Sequence, residues 1–172
     1  MTTFAVLLLM LFSKDGYEPG RVAAVLDGDT VVRYVRGERQ VCRLYGADAP
    51  EMRLRRVRDK AGNVVGYEPR PKGLQPGGPE ARAFVLDFTA GQQLAFKYVG
   101  QDLYGRPVVR VRLHRRDLSE ELVKAGHAWH YKQYAPHDDR LKAFELEARA
   151  AGRGIWGASE PPMEPAKWRS LH

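Results

Sequence analysis

With 172 residues, 44% hydrophobic and 28% charged, the chain has the length and composition of one soluble globular domain, which excludes collagen, coiled coil and wholesale disorder. Its single cysteine, Cys42, rules out an internal disulfide and the paired-cysteine zinc sites. Lysine and arginine number 28 against 21 acidic residues, a net charge of +7, which points to polyanionic partners: nucleic acid first, an anionic membrane surface second.

Phe4 to Phe12 is an unbroken apolar run, well short of the about 20 residues that span a bilayer. It has the length of a signal-peptide hydrophobic region, yet no Lys or Arg precedes it and no small-x-small cleavage site follows. The run is expected to export or anchor the chain, with a strand or terminal helix packed on the body as the alternative. A cleaved segment implies a secreted or periplasmic protein, an uncleaved one a membrane tether with contact through residues 4–12. Residues 1–16 are therefore set apart from the fold.

In the body, residues 20–26 predict a strand that ends at the Asp27–Gly28 turn. Residues 29–36 are β-branched and aromatic and predict a second strand. Gly37–Glu38 turns into a third, residues 39–45, in which Cys42 and Leu44 point to the core. Residues 52–78 lack a period, contain Pro69, Pro71 and Pro76, and read as a long surface loop with room for a small hairpin at Gly62–Asn63. Pro79 suits the first turn of a helix that Gly91 ends. Residues 92–98 and 106–114 give the fourth and fifth strands, the latter with clean alternation. Asp117 caps a short helix through Lys124, and a last helix runs from about residue 138 to 151. The tail 159–172, with Pro161, Pro162 and Pro165, is expected to be irregular. Five strands with a helix between the third and fourth predict an α+β domain over 17–158, a five-stranded oligonucleotide-binding-type barrel with three helices.

Three short segments have the residues for chemistry: DGDT (27–30), RLYGADAPE (43–51) and DLYGR (102–106). Asp29 begins strand two and Asp48 leaves strand three, so adjacent strand ends offer two carboxylates to a hard divalent cation. Carbonyls of the Asp48–Ala49 turn can add an oxygen, and Glu51 stands where a base for water would stand. Arg43 and Arg106 match phosphate oxygens. Together they describe phosphodiester hydrolysis. Singly, each has a plainer reading: Asp27 and Asp29 as turn formers, the arginines as surface residues, Glu51 as a solvated loop residue.

With GPEA (78–81), EELVKAGHAW (120–129) and GRGIW (152–156), these segments make the chain from about Gly20 to Trp156 resemble the thermonuclease family, the staphylococcal-nuclease-like domains. The resemblance implies a calcium-dependent endonuclease on a five-stranded barrel with three helices. It acts on DNA and RNA with little sequence preference and leaves 3′-phosphates. By position, Asp29 and Asp48 would ligate calcium through carboxylates and Ala49 through its carbonyl, Glu51 would be the general base, and Arg43 and Arg106 would bind the scissile phosphate. The chain departs from the family pattern at Ala49, often Thr, at Leu103, where a basic residue can precede the tyrosine, and in the length of residues 52–78.

That long segment holds Arg53, Arg55, Arg56, Arg58, Lys60, Arg70 and Lys72 against Asp59 and Glu68, most of the chain's excess charge. It reads as a clamp on the nucleic-acid backbone, with a solvated basic loop as the plainer alternative. Tyr104 is expected at the nucleotide by resemblance, and Tyr131 and Tyr134 are candidates for base stacking or half-buried packing. His127 and His130 read as structural or surface residues, and Trp129 and Trp156 as core. A nucleic-acid-binding module without hydrolysis is the rival function. No protein partner is implied, and a monomer is the default.

Overall fold

The computed structural model describes residues 15–70, 74–160 and 162–171. The apolar run 4–12 lies outside the described residues, as does Lys72. The main sheet is built from β1 (Glu18–Gly20), β2 (Ala24–Val25), β3 (Thr30–Val35), β4 (Glu38–Leu44), β8 (Leu94–Gln101) and β9 (Pro107–Leu113), with β10 (Arg116–Asp117) paired to β9. Its order is β1-β8-β9-β4-β3-β2, and it curls into a half-barrel of the oligonucleotide-binding type. Small pairs complete the strands: β5 (Ala47–Asp48) with β11 (Trp129–His130), and β6 (Leu54–Arg58) with β7 (Val64–Pro69). The helices are α1 (Gly78–Thr89), α2 (Leu118–Lys124), α3 (Asp139–Ala150) and α4 (Pro165–Leu171), with a 3₁₀ turn at Gly154–Gly157.

The local chemistry explains these elements. β3 and β4 form a hairpin through Arg36 and Gly37, both at positive φ, the geometry of a tight turn whose twist matches the strands. Asp117 caps α2 by accepting from the Ser119 and Glu120 amides. β4 and β9 run parallel, Arg43 opposite Val108, a pairing that requires the long crossover containing α1. Cys42, Leu44, Val109 and Val111 point inward as their alternation predicts, against Val85, Leu118, Leu122 and Leu141 from the helices. Each such aliphatic side chain contributes about 1.5–3 kcal/mol by leaving water.

Three expectations are corrected. The strand expected at 20–26 is broken into β1 and β2, which pair with different neighbours, β8 and β3. The hairpin expected at Gly62–Asn63 is present but larger than expected, taking in residues 54–69 of what reads as a loop: Asp59 closes its turn by accepting from the Ala61 and Asn63 amides, and Val57, Val64 and Tyr67 supply strand-forming side chains. The tail is not irregular throughout. Pro165 opens α4, a place where its missing N–H costs nothing.

Candidate functional site

The β3–β4 register places Thr30 opposite Arg43, so Asp29, just before β3, sits at the hairpin end where Arg43 lies. The Leu44 amide donates to the Asp29 carbonyl at 2.7 Å. Asp27 Oδ1 accepts from the Asp29 amide at 3.0 Å, so the Asp-Gly-Asp segment is a turn in its own right. Gly28 is required there for space: a Cβ would lie 2.6 Å from the Cβ atoms of both Ala49 and Ala81. The turn thereby packs against the Asp48–Ala49 segment, which β11 holds from its other side through the Asp48–Trp129 pairing.

Arg43 joins the two carboxylates. Its Nη1 lies 2.6 Å from Asp29 Oδ1, and its Nη2 bonds Asp48 Oδ1. Asp29 also accepts from the Thr30 hydroxyl at 2.9 Å and from the Ala49 amide at 2.7 Å. Asp29, Arg43 and Asp48 are 2%, 7% and 4% exposed, so this is a buried cluster and not a surface pair. Burial, and then the neighbouring Asp29, push the Asp48 carboxyl above its ordinary value. The same two causes raise Asp27 well above its usual range. Burial works against the Arg43 charge, but Asp29 and Asp48 outweigh it and hold the guanidinium protonated. The plain surface reading of Arg43 is thus excluded.

Glu51 is fixed by its main chain. Its amide donates to Gln75 Oε1 and its carbonyl accepts from the Gln75 amide, both at 3.0 Å. Its side chain meets a residue that sequence reasoning missed: Arg169 Nη1 lies 2.5 Å from Glu51 Oε1 and 3.4 Å from Asp48 Oδ1. Burial opposes that charge too, and Asp48 and Glu51 raise it. The sequence carries no local signal for it, since Arg169 lies in a tail that reads as irregular.

Arg106 is not joined to this cluster. Its Nε donates to Asp102 Oδ2 at 2.5 Å, and Asp102 Oδ1 accepts from the Tyr104 and Arg106 amides. Burial would raise the Asp102 carboxyl, but the bonds from Arg106 and Tyr104 outweigh it and lower it. Tyr104 is 85% exposed at the tip of this turn, with its ring 5.6 Å from the Arg106 guanidinium. Tyr131 lies beside the cluster, 5.7 Å from the Arg43 guanidinium, and packs edge-on against Tyr134 at 4.8 Å. Both tyrosines are half-buried. With Asp48, Glu164 and Pro165, Tyr131 lines a cavity of about 270 Å³. His130 is buried with Nε2 2.8 Å from the Ala135 carbonyl, and the His127 ring lies 5.2 Å from that of Phe84.

Arg53, Arg55, Arg56 and Arg58 are exposed on or beside β6. Arg55 pairs with Glu68 across the hairpin, and Arg58 donates to the Gly62 carbonyl. The charge is therefore displayed on a strand pair rather than scattered along a loop. If it grips phosphates, Arg56→Gln with Arg58→Gln should flatten the salt dependence of DNA binding by about one log–log unit for each phosphate no longer neutralised. Binding titrations at several salt concentrations measure this; an unchanged slope would make the hairpin a bystander.

Among the described residues, no group of three or more His, Cys, Asp and Glu side chains is arranged as a ready metal cage. Asp29 and Asp48 nevertheless offer hard oxygen donors on the two nitrogens of one buried guanidinium, and burial together with the Asp29 charge raises Asp48. Carboxylate oxygens are the donor type that a hard cation such as calcium takes.

Residues 41–158 match the family model described as staphylococcal nuclease homologue. A probable staphylococcal-like nuclease of rice is 28% identical over 94% of this chain and 36% of its own length. An uncharacterized endonuclease of Haemophilus influenzae is 29% identical, covering 87% of this chain and 71% of its own. An uncharacterized endonuclease of Escherichia coli O157:H7 is 30% identical over 87% and 84%. The chain thus spans about a third of the rice relative and most of the bacterial ones.

Proposed function

Because the chain belongs to the staphylococcal nuclease homologues, we propose that it is a calcium-dependent endonuclease acting on DNA and RNA with little sequence preference. The observation that carries this reading is the buried Asp29–Arg43–Asp48 cluster with Glu51 three residues on. Asp29, Asp48 and the Ala49 carbonyl would hold the cation, whose charge would offset that of the phosphodiester. Arg43 and Arg106 bind the phosphate oxygens, Arg43 exchanging its bonds to Asp29 and Asp48 and Arg106 its bond to Asp102 for the substrate. Glu51 takes the proton of a water as its oxygen attacks phosphorus; the bond to the 5′ oxygen breaks and the phosphate stays on the 3′ side. Tyr104, Tyr131 and Tyr134 contact the nucleotides, and the basic hairpin follows the backbone. Residues 4–12 export or tether the chain; among the described residues no helix is long and apolar enough to cross a membrane.

The test is loss of plasmid DNA and of RNA with calcium, abolished by a chelator. Asp48→Asn should weaken calcium binding and activity together, because it removes a charge from the ion's shell. Calorimetric titration measures the first and a nuclease assay the second. Unchanged calcium dependence in Asp48→Asn would remove Asp48 from the metal. Tight DNA binding by the parent chain without turnover would favour the non-catalytic binding module.

A further inference from the structure

The C-terminal helix α4 lies beyond the residues that match the family model, yet its side chain enters the centre of the site. Arg169 Nη1 is 2.5 Å from Glu51 Oε1 and 3.4 Å from Asp48 Oδ1. The approach is built from below as well. Gln75 is 2% exposed, and its side chain joins the tail to the base: Nε2 donates to the Met163 carbonyl at 2.6 Å while Oε1 accepts from the Glu51 amide at 3.0 Å. Pro165, the first residue of α4, is buried, and Trp168 lines a cavity with Gly77, Ile155 and Met163. The Glu51 segment and the tail therefore share one scaffold.

We infer that Arg169 is a positioning residue for Glu51, and that α4 is a working part of the active site. This rests on the nuclease reading above. A half-exposed glutamate side chain has several rotamers, and two carboxylates side by side repel. A guanidinium nitrogen bonded to Glu51 and close to Asp48 removes both problems. Arg169 engages Oε1, which leaves Oε2 to accept a proton. The opposite role, a stand-in cation that blocks the site, fits the contacts less well. The nearer contact of Arg169 is to Glu51, and the Asp48 oxygen that it approaches is already bonded by Arg43. Orientation is worth much to such a reaction, since a misplacement of about 1 Å can cost about 100-fold.

The experiment compares the full-length parent chain with Arg169→Gln, Arg169→Lys, Glu51→Gln and the Arg169→Gln/Glu51→Gln double variant. Arg169→Gln should lower kcat about 10-fold or more, with KM for DNA changed no more than about twofold and thermal unfolding unchanged. Arg169→Lys should recover part of the loss. In the Glu51→Gln background the same change should cost nothing further, because the residue acts through Glu51. A readout without turnover comes from amide hydrogen exchange of the metal-free protein: Glu51→Gln should speed exchange over residues 164–171. Unimpaired turnover in Arg169→Gln, a fully additive double variant, or unaltered exchange overturns the role of Arg169 alone. Raised turnover with tighter calcium binding overturns it in favour of a blocking counter-ion. A parent chain without turnover overturns the nuclease reading itself, and this role with it.

Discussion

Glu51→Gln should lower turnover by about 10²–10⁴-fold, the usual contribution of a general base, while leaving the fold, calcium binding and single-stranded DNA binding in place. The two hydrogen bonds to Gln75 use the backbone of residue 51, so they survive the substitution. Glutamine keeps an oxygen on that side of Arg169, but the bond loses the charge that strengthened it, so α4 loosens while the body stays folded. What glutamine lacks is the capacity to take a proton from water. Gly78 strengthens the expectation that the segment stays where it is: a Cβ there would lie 2.9 Å from the Glu51 carbonyl, so α1 begins in direct contact with this turn. Turnover and DNA affinity should be measured on one preparation, with a melting curve as the folding control. Near-parental turnover in a folded variant would end the assignment of Glu51 as base, whereas a variant that no longer melts cooperatively would give it a structural role.

What the sequence made legible follows the distance between interacting residues. The strands 29–36, 39–45 and 106–114 were readable because alternation is local, and Cys42, Leu44, Val109 and Val111 are buried as that pattern requires. The cap of α2 was readable because Asp117 bonds amides two and three residues away. The meeting of Asp29 and Asp48 followed from strands two and three being neighbours. Arg43 was harder. Alternation turned it away from Cys42 and toward the surface, but here the outward side is covered by Asp29, Asp48 and Tyr131, so the residue is buried. Arg106 was expected at the same point and is held instead by Asp102, a turn bond within its own segment that a tally of charges does not reveal. The turn of the hairpin was readable at Gly62–Asn63, but its length was obscured by prolines at 69, 71 and 76, of which Pro69 ends β7 rather than preventing it. Arg169 was invisible because its contact to Glu51 spans 118 residues and depends on a tail fixed by the Gln75–Met163 bond and the buried Pro165.

Arg43→Met should destabilise the protein by about 3–5 kcal/mol at neutral pH and abolish most activity at the same time. Methionine keeps much of the side-chain length, so the loss measures charge rather than a large cavity. Arg43 is bonded to both Asp29 and Asp48, and all three are buried; without the guanidinium, two carboxylates face each other where water does not reach them. Arg169 does not replace it, because its contacts are to Glu51 and Asp48 and leave Asp29 uncompensated. The sign of the pH dependence follows. In the parent chain, burial and Asp29 already raise the Asp48 carboxyl. Removing Arg43, which lowers the Asp48 value, raises that folded-state value further above that of the unfolded chain, about 3.9 for aspartate. A group raised in this way binds its proton more readily in the folded state, so acidification stabilises the variant relative to the parent. The stability gap measured by denaturant unfolding should therefore be widest near pH 7 and narrow as the pH falls toward the aspartate range. Calcium should narrow it as well, since the cation offsets the same two charges. A gap independent of both pH and calcium would mean that Arg43 contributes through packing alone, and the charge balance proposed for this cluster would then be wrong.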